Sequence, residues 1–203
     1  MARITYFTAP FFLFTLMAAP ALALDLNPFS AIVTAVEAVA EDRSSEDIAK
    51  DLEIKASITA DVVDQMGSDV ISISADVYEQ DVMLTGSVEK DEQKKQAGKL
   101  AASVDGVKKL YNEILVITDL EKKKGAAEGF VEDTVIEKKI NALLLDGKGV
   151  NVTNFRWRAV SGNVFLFGRA LSKAELSKAV GIVKEIEDVI SVTNRVKVRA
   201  KEE

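Results

Sequence analysis

The chain superposes on itself at an offset of 82 residues, and this internal repeat constrains the architecture more than any local pattern does. Val82-Met83-Leu84-Thr85-Gly86 aligns with Val164-Phe165-Leu166-Phe167-Gly168. In the same register Ala97 falls on Ala179, Leu100 on Ile182, Val104 on Ile186, Val107 on Val189, Asn112 on Asn194 and Ile114 on Val196. Apolar positions match apolar positions, and one Gly and one Asn match themselves. The upstream parts register less well, Ile54 falling near Ile140 only after a gap of four residues. One supersecondary unit, duplicated and diverged, accounts for the pattern.

Each copy reads as helix, strand, strand, helix, strand. In the second, Val135, Ile136, Ile140, Leu143 and Leu144 recur at helical spacing and Asp146-Gly147-Lys148-Gly149 ends the helix. Two alternating runs follow, Asn151 to Ala159 and Val164 to Ala170, joined by the hairpin loop Val160-Ser161-Gly162-Asn163. Ser172-Lys173-Ala174-Glu175 is a capping box for a helix with the stripe Leu176, Ala179, Val180, Val183 and Ile186, and Val189 to Arg199 is the last strand. The first copy repeats this with Ser44 to Ile58, Val70 to Val77, Val82 to Val88, Asp91 to Val104 and Val107 to Ile117. The expected fold is α+β: two tandem α-β-β-α-β domains, 44–118 and 128–199, each a small three-stranded mixed sheet with two helices on one face. Residues 119–127, with Lys122-Lys123-Lys124, form a linker, and 200–203 a tail.

Composition narrows the chemistry. With no His and no Cys there is no Ser-His-Asp triad, Cys/His pair, Cys/His zinc site or disulfide. A net charge of −6 argues against a nucleic-acid partner. Gly147-Lys148-Gly149 lacks the spacing of a phosphate-binding loop, and Asp61, Asp64 and Asp69 lack that of a calcium loop. The carboxylates include no pair that must be buried together. No catalytic residue, metal ligand or cofactor is therefore assigned, and a non-enzymatic role is expected.

Residues 1–23 combine Arg3, an apolar run from Phe11 to Ala19 and the small-residue ending Ala21-Leu22-Ala23, the pattern of a cleaved secretory signal. The mature chain is expected to start at Leu24, and the apolar run is short for a bilayer span of roughly 20 residues. In 24–43, Asn27-Pro28 starts an amphipathic helix with Phe29, Ile32, Val33, Val36, Val39 and Ala40 on one side; it either docks on its own domain or serves an interface.

In each copy V-x-L-x-G, a helix, and then G-V or D-V followed five residues later by Asn and an apolar strand resemble the BON domain. The resemblance spans roughly 44–199. It implies a periplasmic protein similar to osmotically induced and outer-membrane-associated phospholipid-binding members, one that binds anionic phospholipid surfaces and supports envelope integrity. The chain departs from the lipoprotein members in having no Cys to lipidate. In lipid-binding relatives contact is attributed to the first helix of the second domain, here about Phe130 to Leu145, where Phe130, Lys138, Lys139 and Lys148 could serve; this helix has no Trp.

Strand alternation offers a second surface. Val164, Leu166, Phe155 and Trp157 point to the core, whereas Arg156, Arg158, Phe165, Phe167, Arg169, Arg195, Lys197 and Arg199 share the opposite face. Register places Arg158 across from Phe165 and Arg156 across from Phe167 as cation–π pairs. The first copy has Ser74, Asp76, Met83, Thr85, Tyr111 and Glu113 there. From Ser44 to Thr118, 8 basic and 15 acidic residues give −7; from Ala126 to Glu203, 13 and 11 give +2. Three fates are open to the basic-aromatic face: contact with anionic lipid through Arg156, Arg158, Phe165, Phe167, Arg195 and Lys197; packing on the first domain through Asp76 and Glu113 or on another copy; or solvation. An alternative function is a protein-interaction or chaperone-like envelope module using exposed sheet faces. Oligomeric state is not readable from the sequence.

Overall fold

The computed structural model describes residues 42–67, 72–117 and 126–199, with side chains from 132 onward in the last segment. The signal segment 1–23, nearly all of 24–43, residues 118–125 and the tail lie outside the described residues.

Helix α1 (Ser45–Met66) begins where the Ser44 hydroxyl accepts a bond from the Asp47 amide at 3.1 Å, with Glu46 and Asp47 complementing the helix dipole. It runs beyond the expected Ile58 because Val62 continues the buried stripe of Ile54 and Ile58. Strands β1 (Ser74–Tyr78) and β2 (Asp81–Thr85) form an antiparallel hairpin, and β3 (Ser87–Val88) follows. Helix α2 (Asp91–Ser103) then crosses to β4 (Lys109–Asn112), parallel to β2, and β5 (Leu115–Val116), parallel to β3. The second unit repeats the order with α3 (Ala126–Asp146), β6 (Phe155–Val160), β7 (Asn163–Ala170), α4 (Lys173–Lys184) and β8 (Ser191–Val198). Beside the two-stranded β3–β5 sheet, each unit has a three-stranded mixed sheet with the hairpin's second strand central.

Each unit has its own core. Ile54, Ile58 and Val62 of α1 and Ala97 and Ala101 of α2 pack on Ala75, Val77, Val82, Leu84 and Ile114. Ile136, Ile140 and Leu144 of α3 and Ala179 and Val183 of α4 pack on Phe155, Ala159, Val164, Leu166 and Ala170, with Trp157 partly buried against the same cluster. Ile54 therefore corresponds to Ile136, Ile58 to Ile140 and Val62 to Leu144. The expected four-residue gap is corrected: the offset of 82 runs unbroken through the first helices.

The repeated glycine has a steric origin. Gly86 and Gly168 have φ of 112° and 105°, and a Cβ there would lie 2.0 Å from the Ser72 carbonyl oxygen and 2.1 Å from that of Asn154. Only glycine lets the central strand approach its neighbour so closely. The repeated Asn also acts locally: the Asn112 and Asn194 side-chain oxygens accept from the amides two residues on, Ile114 and Val196, at 3.4 and 2.9 Å.

Candidate functional site

Alternation leaves one face of each sheet free of helices, and the two faces meet. Tyr78 and Met83 of the first unit join Phe165 and Phe167 of the second in a third buried cluster, flanked by Tyr111, Leu115 and Val160. The Tyr111 and Phe167 rings meet edge-on, centroids 6.0 Å apart.

Charges ring this apolar centre. The Arg158 guanidinium holds Asp76, with Nη2 donating to Oδ1 at 3.2 Å and Nε 3.2 Å from Oδ2. Arg169 donates from Nη1 to Glu79 Oε1 at 3.0 Å and from Nη2 to the Asp42 carbonyl. Arg195 Nε donates to Glu113 Oε1 at 2.6 Å, Lys197 Nζ pairs with Asp81, and Arg199 Nη1 lies 3.0 Å from Glu79 Oε2. Asp76, Asp81 and Arg169 are buried. The acidic first unit and basic second unit thus neutralise one another where their sheets touch, which explains why the copies diverged most on this face.

An open lipid-contact face at Arg156, Arg158, Phe165, Phe167, Arg195 and Lys197 is therefore corrected. Phe165 and Phe167 retain 3% and 2% exposure, so they do not reach an acyl boundary in this arrangement. The strand register is as read, with Arg156 opposite Phe167 and Arg158 opposite Phe165, but the cations serve the interface. Arg156 lies 5.5 Å from the Tyr78 ring centroid and donates to the Thr153 and Phe155 carbonyls at 2.9 Å; Arg195 lies 5.4 Å from the Tyr111 centroid. Of the three fates, packing on the first domain is the one the structure adopts.

The expected helix surface stays outside. Lys138 is exposed, Lys139 is half-buried with Nζ 3.6 Å from Glu187 Oε2, and Lys148 is exposed; the Phe130 side chain lies outside the described residues. Val135, Leu143 and Leu145 project from α3 at 42, 45 and 63% exposure. The first copy has Glu53, Ala56, Ser57 and Asp61 where the second has Val135, Lys138, Lys139 and Leu143. On its inner side, Glu137 Oε1 accepts from the Ala159 amide at 2.9 Å; burial pushes its carboxyl above the ordinary 4.5, against the opposing pull of Arg158 and that hydrogen bond.

One pair of buried-side carboxylates escaped sequence reasoning. Asp51 accepts from the Glu79 and Gln80 amides, both at 2.8 Å, and from Gln80 Nε2 at 2.9 Å, while pairing with Arg43. Its equivalent Asp133 accepts from Ser161 and Gly162 at 2.7 and 2.8 Å. Each carboxylate clasps the hairpin turn of its own unit, where φ is positive at Glu79, Gln80, Ser161 and Gly162. The signal was present: carrying the offset of 82 ungapped into the first helix sets Asp51 on Asp133. Among the described residues no group of three or more acidic side chains is placed to hold a metal ion.

The family model of the BON domain matches residues 50–118 and 132–200. The chain belongs to the BON domain family. Its two BON domains are thus a tandem pair, as the repeat implied. The chain is 30% identical over 149 residues to osmotically-inducible protein Y of Escherichia coli, covering 73% of each chain. It is 28% identical to a 21 kDa hemolysin of Actinobacillus pleuropneumoniae, over 84% of this chain and 80% of that one. It is also 32% identical to an uncharacterized protein of the gshII 5′ region in Anaplasma centrale, over 63% of this chain and 82% of that one. No helix among the described residues is long and apolar enough to cross a membrane.

Proposed function

We propose that this tandem BON protein is exported to the periplasm by cleavage after Ala23 and acts there without catalysis, associating with anionic phospholipid surfaces and supporting the envelope under osmotic stress. Kinship to a protein named for osmotic induction, and to another named for haemolysis, supports a role at a membrane. The observation that carries the reading is the divergence of α3 from α1. Their core positions coincide, Ile54, Ile58 and Val62 matching Ile136, Ile140 and Leu144, yet on the outside two acids and two small residues of α1 are replaced by Val135, Leu143, Lys138 and Lys139. Apolar side chains beside Lys suit an interfacial helix, and each basic residue near an anionic surface contributes about 1 kcal/mol.

Flotation of the chain from Leu24 to Glu203 with vesicles containing or lacking anionic lipid, at low and moderate salt, tests this. The expected result is flotation with anionic vesicles alone, reversed by salt, and weakened roughly a thousandfold by Lys138→Glu with Lys139→Glu, a change of four charges at about 1 kcal/mol each. A chain that stays at the bottom in every condition refutes lipid association and leaves the outer helix surfaces to be tested as protein contacts.

A further inference from the structure

Two interdomain ion pairs join positions that are equivalent in the repeat: Asp76 with Arg158 and Glu113 with Arg195 are each separated by 82 residues. The apolar centre fits the same rule, since Met83 and its equivalent Phe165 lie in one buried cluster. Positions that meet their own equivalents lie on a two-fold axis. Asp76 pairs with Met83 across β1 and β2, and Met83 with Tyr111 across β2 and β4, so the line from Asp76 through Met83 to Glu113, two residues beyond Tyr111, crosses the first sheet obliquely and marks where the axis passes. Contacts away from the line fit too. The hairpin-turn end of the first sheet, at Glu79 and Asp81, meets the opposite end of the second, at Arg169, Lys197 and Arg199. The two BON domains meet as the halves of an isologous dimer would, with sequences that are no longer identical.

On such an axis, like units would oppose like charges. Two first domains would set Asp76 against Asp76 and Glu113 against Glu113; two second domains would do the same with Arg158 and Arg195. Asp76 and Arg158 are mostly removed from water, where screening is weak and like charges repel strongly. We infer that Asp76, Glu113, Arg158 and Arg195 form a pairing code that admits first domain on second domain and rejects like on like. The partner this code fits beyond the chain's own other half is the complementary half of a second copy. Nothing in the faces distinguishes closure within a chain from reciprocal closure between two; covalent linkage favours the former through effective concentration.

Complementation tests the code in the full chain. Variant X carries Asp76→Arg with Glu113→Arg, and variant Y carries Arg158→Asp with Arg195→Glu. Each alone opposes like charges at both axis pairs, and neither should pair with itself. Refolded together from urea, they satisfy both axis pairs twice over by exchanging domains. Size-exclusion chromatography with light scattering should move the mixture to twice the single-chain mass, while X and Y separately show no dimer. A chain carrying all four substitutions restores opposite charges internally and should return as a monomer with its unfolding midpoint recovered relative to X and Y. If X or Y fails to fold alone, the four-fold variant and the mixture still decide. No dimer in the mixture overturns exchange between copies; homodimers of X or Y, or a four-fold variant no more stable than X and Y, overturn the code.

Discussion

Asp51→Ala and Asp133→Ala remove equivalent carboxylates from equivalent helices, yet the structure makes their costs unequal. Asp51 retains 3% exposure and serves three N–H donors, two of them backbone amides of a turn built from Glu79 and Gln80 at φ of 52° and 62°. Neither residue is glycine, so the turn is held in a conformation costly for L side chains. An orphaned buried donor costs about 1–3 kcal/mol, and breaking the buried pair with Arg43 adds to this, so about 4 kcal/mol should be lost at Asp51. Asp133 serves a turn that needs less help: Ser161 is exposed, so water replaces one bond, and Gly162 adopts φ of 73° without penalty. About 1 kcal/mol should be lost there. Urea unfolding followed by far-UV circular dichroism and by Trp157 fluorescence measures both. Equal losses, or a loss at Asp51 under about 1.5 kcal/mol, would refute the claim that the carboxylate restrains a strained turn.

Gly168→Ala forces a Cβ to within 2.1 Å of the Asn154 carbonyl at φ of 105°, and should cost more than about 3 kcal/mol in the same assay; a loss below about 1 kcal/mol would sink the close-approach argument. Phe167→Ala, which empties the interdomain cluster, should cost about 3–5 kcal/mol and raise binding of an apolar dye, whereas a surface-like loss under about 0.5 kcal/mol would mean that the sheets do not pack in solution. Glu137→Gln tests burial through pH. A carboxyl raised on folding stabilises the native state below its unfolded value, and that contribution is lost as pH climbs from 4.5 through the folded value. The non-titrating variant should therefore gain stability relative to the parent across that window, and a pH-independent difference would count against it.

The repeat made the fold legible because the positions it aligned are those packing constrains: apolar residues of helix and strand, a glycine with no room for a side chain, and an asparagine bonded to its own backbone. Its reach into α1 and α3 was missed although Glu46, Asp51, Ile54, Ile58, Ala60 and Asp64 keep their identities at the offset, because they are scattered among outer residues that have diverged in character, such as Glu53 against Val135 and Asp61 against Leu143. The helix-free sheet faces show the limit most clearly. Phe165 and Phe167 among Arg residues suit lipid and an acidic protein face equally, and local pattern carries no information about which arrives. The opposite charges of the two copies did carry it, once Asp76 and Glu113 were set beside Arg158 and Arg195.

With both helix-free sheet faces consumed by the interface, an external ligand meets helices and strand edges, and the duplication supplies its own control for α3. Positions 53, 56, 57 and 61 of α1 have the same or nearly the same exposure as 135, 138, 139 and 143 of α3, in the same framework. Residues found at the former should thus be tolerated at the latter. Val135→Glu, Lys138→Ala, Lys139→Ser and Leu143→Asp together give α3 the outer face of α1. Each change is at the surface, and the ion pair lost between Lys139 and Glu187 is exposed, so the folding cost should stay near about 1 kcal/mol. Membrane affinity should fall far more, because two basic groups vanish and two acidic ones appear, about 4 kcal/mol at about 1 kcal/mol per charge, or roughly a thousandfold. Flotation with anionic vesicles measures the second quantity and urea unfolding the first. Undiminished flotation by a normally stable variant would exclude α3 as the contact surface, whereas loss of flotation without loss of stability would separate lipid recognition from the fold.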